Sequence, residues 1–296
     1  PTSGWFGQSS EGFGPFPWWT RSINSGGCVK PKLIATDLDG TIVQFNGRIS
    51  PRTVETFNRA IDEGVRIIYA TGRPPRWMGD VVDAFGTERI PWAICCNGAL
   101  LFDLVNDKIV EEWPISIEIT KEILHRMRQA IPEITFAMER HNSYVREKHY
   151  IPRWDAGLDT EGIDAIEELL DQPFLKLLAR VPNHILDSDE MLAIAAPLLA
   201  DIATVTHSNA EDSLLEISAL GVNKGTGVKH VASQWGIPIE DVVCFGDNPN
   251  DIPMLNLIPR SYAVQSGHRD AHTAAAYIAP ACNDDGVAQV ISDLLG

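Results

Sequence analysis

The stretch Lys32-Leu33-Ile34-Ala35-Thr36-Asp37-Leu38-Asp39-Gly40-Thr41 decides the reading of this chain. Its first half is a short apolar run of the kind that forms a strand buried on both faces. Its second half turns acidic. At a strand end, residues i and i+2 point the same way, so the Asp37 and Asp39 carboxylates face one crevice and Leu38 turns away. Two carboxylates this close stay ionised only with a cation between them; otherwise they share a proton. Oxygen donors favour a hard ion such as Mg²⁺, which keeps several waters and is held by few carboxylates. Gly40 lets the backbone approach those acids closely or take an unusual dihedral.

Working outward, Ser50-Pro51 opens a helix with a capping residue and a first-turn proline. Val54, Phe57 and Ile61 give its apolar face, and Gly64 stops it. Val65 to Ala70 reads as a second strand and Trp92 to Cys96 as a third. Strands alternating with helices imply a parallel sheet covered on both faces. After Leu101 the period changes. The runs 101–105 and 108–113 flank Asn106-Asp107 as a hairpin. Helical patterns then fall at 117–130, 161–171 and 188–200, with strand-like runs near 134–138, 143–147, 174–180 and 203–207. Leu214-Leu215-Glu216-Ile217 leads into a helix from Gly225 to Trp235, Asp241 to Gly246 is another buried strand, and short strands follow at Ala263-Val264 and Tyr277-Ile278. The expectation is one α/β domain, in two pieces of 31–101 and 214–296, interrupted by an inserted α+β domain at 102–213. Residues 1–30, rich in Gly, Ser, Pro and aromatics without a period, are expected to be a flexible tail.

Composition narrows the partners. At 296 residues and 44% hydrophobic the chain can bury a full core. A formal net charge of -16 argues against nucleic acid and anionic membrane surfaces. The 5 cysteines are odd in number and form no C-x-x-C pair, so a reduced, cytoplasmic protein is the simplest reading. No run approaches the length of a membrane span. A monomer or weak homo-oligomer is expected.

Three further features end at the same edge as Asp37. Thr71, in Thr71-Gly72-Arg73, closes the second strand with a hydroxyl that can donate to a phosphate oxygen. Lys224 sits just before the 225–235 helix, where its ammonium can do the same. Gly246-Asp247-Asn248-Pro249-Asn250-Asp251 offers a third carboxylate for metal and an amide for phosphate. Ligands bind at the C-terminal ends of parallel strands in such sheets.

In these motifs and their order the chain resembles the haloacid-dehalogenase superfamily of phosphatases, and within it the Cof-type members with a large inserted cap. The order is D-L-D-G-T at 37–41, T-G-R at 71–73, N-G-A at 97–99, N-K-G-T at 223–226, G-D-x-x-N-D at 246–251 and D-G-V-A at 285–288. The resemblance runs from Lys32 to Leu295. It implies a Rossmann-like parallel sheet core and hydrolysis of a phosphomonoester through an aspartyl-phosphate intermediate. Asp37 would attack phosphorus, and Asp39 would protonate the leaving oxygen and later activate water. Asp37, Asp247 and the Asp39 carbonyl would hold Mg²⁺. Thr71 with Gly72, Lys224 and Asn250 would bind the phosphoryl oxygens, with Gly40, Asn97 and Asp251 supporting. The inserted region would be a cap that excludes water and reads the leaving group, with Arg140, His141, Arg146, His149, Arg153 and Trp154 as candidates. One departure is Ser266-Gly267-His268-Arg269-Asp270-Ala271, where relatives often read G-N-A; His268 is expected to be solvent-exposed. The substrate class implied is a small phosphorylated metabolite, a sugar phosphate or a cofactor phosphate. Two rival readings are a phosphohexomutase on the same fold and a regulatory or binding relative that no longer turns over.

Overall fold

A computed structural model describes residues 29–141, 143–152, 161–182 and 185–296. The tail expected at 1–30 therefore falls, but for its last two residues, outside the described residues. The opening strand β1 (Leu33–Thr36) is buried at every position. It lies between β2 (Arg66–Ala70) and β11 (Val242–Gly246), pairing parallel with both. β3 (Trp92–Cys95) continues the sheet beyond β2, and β12 (Arg260–Val264) and β13 (Tyr277–Ala279) continue it beyond β11, all parallel. The chain thus leaves β1 on one side and returns on the other, which opens a crevice at the C-terminal ends of β1 and β11.

Helices cover both faces. α1 (Pro51–Asp62), α2 (Gly79–Phe85) and α8 (Gly286–Leu295) bury Phe57, Phe85 and Ile291 against Ile34, Tyr69 and Phe245. On the other face α5 (Lys224–Gln234), α6 (Ile252–Leu257) and α7 (Arg269–Ala274) bury Val228, Met254 and Ala271 against Leu33, Ile68 and Cys244. Adjacent strand residues enter opposite cores, which is why these runs are apolar throughout. The caps read from sequence are present. The Ser50 hydroxyl accepts from Thr53 N at 3.1 Å, and Gly64 takes φ +87°.

The second sheet is five-stranded and antiparallel, in the order β7 (Tyr144–Arg146), β6 (Thr135–Glu139), β8 (Lys176–Arg180), β10 (Leu214–Ala219), β9 (Ala203–Thr206). α3 (Ile117–Ala130) and α4 (Ser188–Leu199) pack Leu124, Met127, Met191 and Leu199 on one face of it, against Phe136, Leu177 and Ile217. The opposite face carries Glu139, Lys176 and Glu216 and looks toward the crevice.

Three expectations need correction. The boundary at 101/102 cuts through a strand, and the one at 213/214 parts a strand from the sheet it pairs with. The hairpin β4 (Leu100–Asp103) and β5 (Lys108–Glu112) extends the core sheet antiparallel from β3, whereas β10 belongs to the inserted sheet through pairing with β8 and β9. The helix expected at 161–171 is only a 3-10 turn at Ile166–Leu169. There Glu147 accepts from Ile166 N at 3.1 Å and Ile163 bonds Arg146 and Lys148 backbone, so tertiary partners outbid the helical period.

Candidate active site

Asp37 begins the loop after β1, and Asp247 begins the loop after the neighbouring β11. Both residues are nearly inaccessible, at 4% and 6%. Between them the backbone passes Gly40 at φ +80°, where a Cβ would lie 2.2 Å from Asp247 Oδ2. Only glycine lets the loop come this close to the second acid.

Lys224, the first residue of α5, is completely buried. Its Nζ donates to Asp37 Oδ1 at 2.5 Å and to Asp251 Oδ1 at 2.7 Å. Asp251 is thereby the brace. Its second oxygen accepts from the backbone N–H of Asp247 at 2.9 Å and of Asn248 at 3.1 Å, which leaves it no free oxygen. Burial pushes the Asp37 carboxyl up to about 7; Lys224 opposes this, while Asp251 and Asp39 add to it. Burial also raises Asp247 well above the usual carboxylate range, with Asp37 and Asp251 reinforcing it. Lys224 would be pushed down by its own burial, but Asp251 and Asp37 hold it above an ordinary lysine.

One carboxylate oxygen from each of Asp37, Asp247 and Asp251 lies within 4.8 Å of the other two. With Asp251 saturated, Asp37 and Asp247 are the acids left for an ion. Two buried carboxylates, one backbone loop and no nitrogen or sulfur donor make a hard, oxygen-only set that fits Mg²⁺. Two buried polar atoms in the surrounding loops, Thr41 Oγ1 and Asn250 Oδ1, have no hydrogen-bond partner, as expected of a place built for something polar.

The remaining core residues converge here as well. Thr71 is 1% exposed, and its Oγ1 accepts from Arg73 N at 3.0 Å, leaving the hydroxyl proton to donate outward. Asn97 stands at φ 57° on a loop whose N–H groups bond the 71–73 loop, Asn97 N to Thr71 O at 2.9 Å and Cys96 N to Arg73 O at 3.0 Å. Asn250 Nδ2 donates to Asn97 Oδ1 at 3.1 Å. The Asp39 side chain is 60% exposed and held by Arg73, with bonds of 2.6 and 2.7 Å from two guanidinium nitrogens, so only its carbonyl remains for an ion.

The inserted sheet meets the site through residues that the sequence did not single out. Arg76 holds Glu139 with two bonds, of 2.5 and 2.7 Å. Lys176 Nζ bonds Glu216 Oε1 at 2.6 Å and the Gly72 carbonyl at 2.8 Å. The signal was a lone charge inside an apolar run, Phe174-Leu175-Lys176-Leu177-Leu178 and Leu214-Leu215-Glu216-Ile217. The expected readers of the leaving group fare less well. Arg140 is tied to Asp171, Leu169 O and Gln172 O, and His141 packs on Phe102. Arg146 rests against carbonyls of Glu147 and Tyr150, and His149 is exposed. Arg153 and Trp154 lie outside the described residues. His268 corrects its expectation of exposure. Its side chain is 12% accessible, its ring meets Asp189 at 3.3 Å, and its N–H donates to the Asp247 carbonyl at 2.6 Å. No helix among the described residues is long and apolar enough to cross a membrane.

Comparison with known proteins agrees with this geometry. The profile of the haloacid dehalogenase-like hydrolases matches residues 34–291. The chain is 23% identical over 274 residues to 5-amino-6-(5-phospho-D-ribitylamino)uracil phosphatase YitU of Bacillus subtilis strain 168, spanning 89% of this chain and 97% of that protein. Its fold matches BT1666 of Bacteroides thetaiotaomicron, a phosphatase of the haloalkanoate superfamily, with a TM-score of 0.74 at 18% identity over 93% of this chain and 98% of the other. It also matches the subclass IIB sugar phosphatase BT4131, with a TM-score of 0.73 at 20% identity over 88% and 98% of the two chains. With a match across nearly the whole described core and a site of this construction, the chain belongs to the haloacid dehalogenase-like hydrolase family and is an enzyme of that kind.

Proposed function

We propose that this hydrolase removes phosphate from a small phosphorylated metabolite, with Asp37 as the nucleophile. The observation that carries the reading is the Lys224 ammonium, fully buried and shared between Asp37 and Asp251 beside the second acid Asp247. Such a site keeps a carboxylate dry and aimed while leaving cationic groups to face an incoming anion. Mg²⁺ held by Asp37, Asp247 and the Asp39 carbonyl would neutralise the acids and polarise the phosphoryl oxygens.

Asp37 attacks phosphorus, and the bond from phosphorus to the leaving oxygen breaks. Asp39, on the open side of the loop, supplies the proton that this oxygen takes up once its side chain is released from Arg73 and protonated from solvent. It then receives a proton from water, whose oxygen attacks the phosphorus of the acyl phosphate and frees Asp37 with release of inorganic phosphate. Thr71, Lys224 and an Asn250 N–H offer donors to the phosphoryl oxygens. The inserted sheet covers the crevice and limits water. The relatives' names, a 5-amino-6-(5-phospho-D-ribitylamino)uracil phosphatase and a sugar phosphatase, support a small phosphorylated metabolite of the sugar phosphate or cofactor phosphate kind. A cytoplasmic setting suits a substrate of that kind.

The test is hydrolysis of an aryl phosphate and a panel of phosphorylated metabolites with Mg²⁺, followed by borohydride quenching. Reduction of an acyl phosphate at position 37 gives homoserine, detectable by peptide mass. Turnover without that product at Asp37 would overturn the covalent step. Phosphate transfer only to a sugar bisphosphate cycle would mark a mutase.

A further inference from the structure

We propose that Glu216 and Lys176, both carried by strands of the inserted sheet, are positioning residues of the phosphate pocket: Glu216 orients Asn97 and through it Asn250, and Lys176 anchors the Gly72 loop. The proposal rests on the reading that this pocket receives a phosphoryl group.

The argument begins with donor and acceptor inventories. A carboxylate only accepts, so the amide facing Glu216 Oε2 must present its NH₂. That amide is Asn97, with Nδ2 at 3.1 Å. Its carbonyl oxygen is then turned toward Asn250, which must present its own NH₂ in reply, at 3.1 Å. Asn250 Nδ2 carries two N–H groups, and one remains for a phosphoryl oxygen. The charge on Glu216 thus sets the direction of both amides. Asn97 cannot swing away, because its backbone N–H is bonded to Thr71 O at 2.9 Å.

Lys176 fixes the other end. Its Nζ lies 2.6 Å from Glu216 Oε1 and 2.8 Å from the Gly72 carbonyl, so one ion pair holds both the amide relay and the loop after Thr71. Gly72 sits at the hub, where a Cβ would come 3.1 Å from Asn97 Oδ1, 3.5 Å from Glu216 Oε1 and 3.7 Å from Asn250 Nδ2. Both charged groups are buried, at 5% and 4% exposure, inside otherwise apolar strands. A buried ion pair generally adds little stability over apolar residues of similar size, so stability alone is a weak reason for this pair. Burial pushes Glu216 up, yet Lys176, the Asn97 amide and Lys224 together hold the group below the usual range, so it stands ionised. The consequence is a pocket whose amides are ordered only while the inserted sheet sits in place.

The test measures binding of inorganic phosphate in the presence of Mg²⁺ by calorimetry, in the full chain, with melting temperature recorded for every variant. Glu216→Gln should weaken phosphate binding by about tenfold, the scale of one hydrogen bond to a charged group. Asn97→Ala should do the same, and the double variant should lose no more than roughly twofold beyond either single one, because both changes cut one relay. If Glu216→Gln fails to fold, Lys176→Met/Glu216→Gln removes both charges together and should show at least that loss of phosphate binding in a folded protein. A merely structural role predicts lower melting temperatures with phosphate affinity unchanged in the folded fraction, and that result overturns the proposal. So do losses that multiply in the double variant. Turnover of an aryl phosphate by the native chain is recorded separately. Weakened phosphate binding in a chain without turnover keeps the relay and sinks the hydrolase reading; native turnover with unchanged affinity in the variants does the reverse.

Discussion

Replacing Lys224 by Met removes one cation from between Asp37 and Asp251 while keeping most of the side-chain volume. The ammonium it deletes has no exposure and bonds at 2.5 and 2.7 Å. Removing one partner of a buried pair costs about 3–5 kcal/mol, because the other charge is left uncompensated. Asp251 retains its two backbone donors, so most of the penalty falls on Asp37, which has only a proton to fall back on. In the native chain that carboxyl already stands near 7. Without Lys224, the largest opposing influence, it must stand higher. Its folded pKa then lies far above that of an ordinary unfolded carboxyl, so its contribution is present at low pH and lost as pH rises through the folded value. The metal-free variant should therefore be least stable at high pH. For a unit of this size each kcal/mol lowers the melting temperature by about 2–4 °C, which predicts a drop of roughly 6–20 °C at pH 8 and a smaller one at pH 6. Calorimetric melts of native and variant chains in excess EDTA at pH 6, 7 and 8 provide the measurement. A drop under about 2 °C that does not change with pH would refute the reasoning, since it would mean that Lys224 compensates no buried charge.

Asp37→Asn should keep the fold and lower turnover by on the order of 10³-fold or more, as removals of nucleophiles commonly do; near-normal hydrolysis would sink the mechanism. Activity should require Mg²⁺ and vanish on exhaustive chelation, with Ca²⁺ a poor substitute because its coordination is looser and higher; full activity in EDTA after metal stripping counts against this. Gly98→Ala places a Cβ 2.2 Å from the Asn223 carbonyl at φ +102°, whereas Gly64→Ala at φ +87° meets nothing within 4 Å. The second should cost about 1 kcal/mol of strain and the first clearly more, and equal melting temperatures would show that the 96–98 loop moves freely.

Much of the core was legible because its signals are local. Leu33–Thr36 ends at Asp37 on the page as it does in space, and Ser50, Pro51 and Gly64 bound a helix by chemistry confined to neighbouring residues. The Asp37, Thr71 and Asp247 loops could be placed at one edge because parallel strands bring their C-terminal ends together, whereas Lys224 follows a strand of the inserted sheet. Other elements were not legible. The six residues Leu214–Ala219 look like any buried strand, and which sheet receives them depends on Arg180, well back in the chain, as well as on the nearer Thr206. Ile163 to Leu170 carries a helical period, but Glu147 and the backbone of Arg146 and Lys148 offer those residues better partners.

The sequence by itself determined the alternation of strands and helices, the caps, the acids at the strand ends and the family to which their order belongs. Only the tertiary structure decided that Asp251 braces Lys224, that Arg73 holds Asp39, and that Lys176 and Glu216 reach the Gly72 and Asn97 loops from another sheet. The reason is the reach of the forces involved. Helix and strand patterns are set by residues a few positions apart, whereas an ion pair such as Lys176 with Glu216 spans 40 positions and exists only once both strands are packed. A lone charge in an apolar run announces that it must be paired. With whom it pairs is written in the fold.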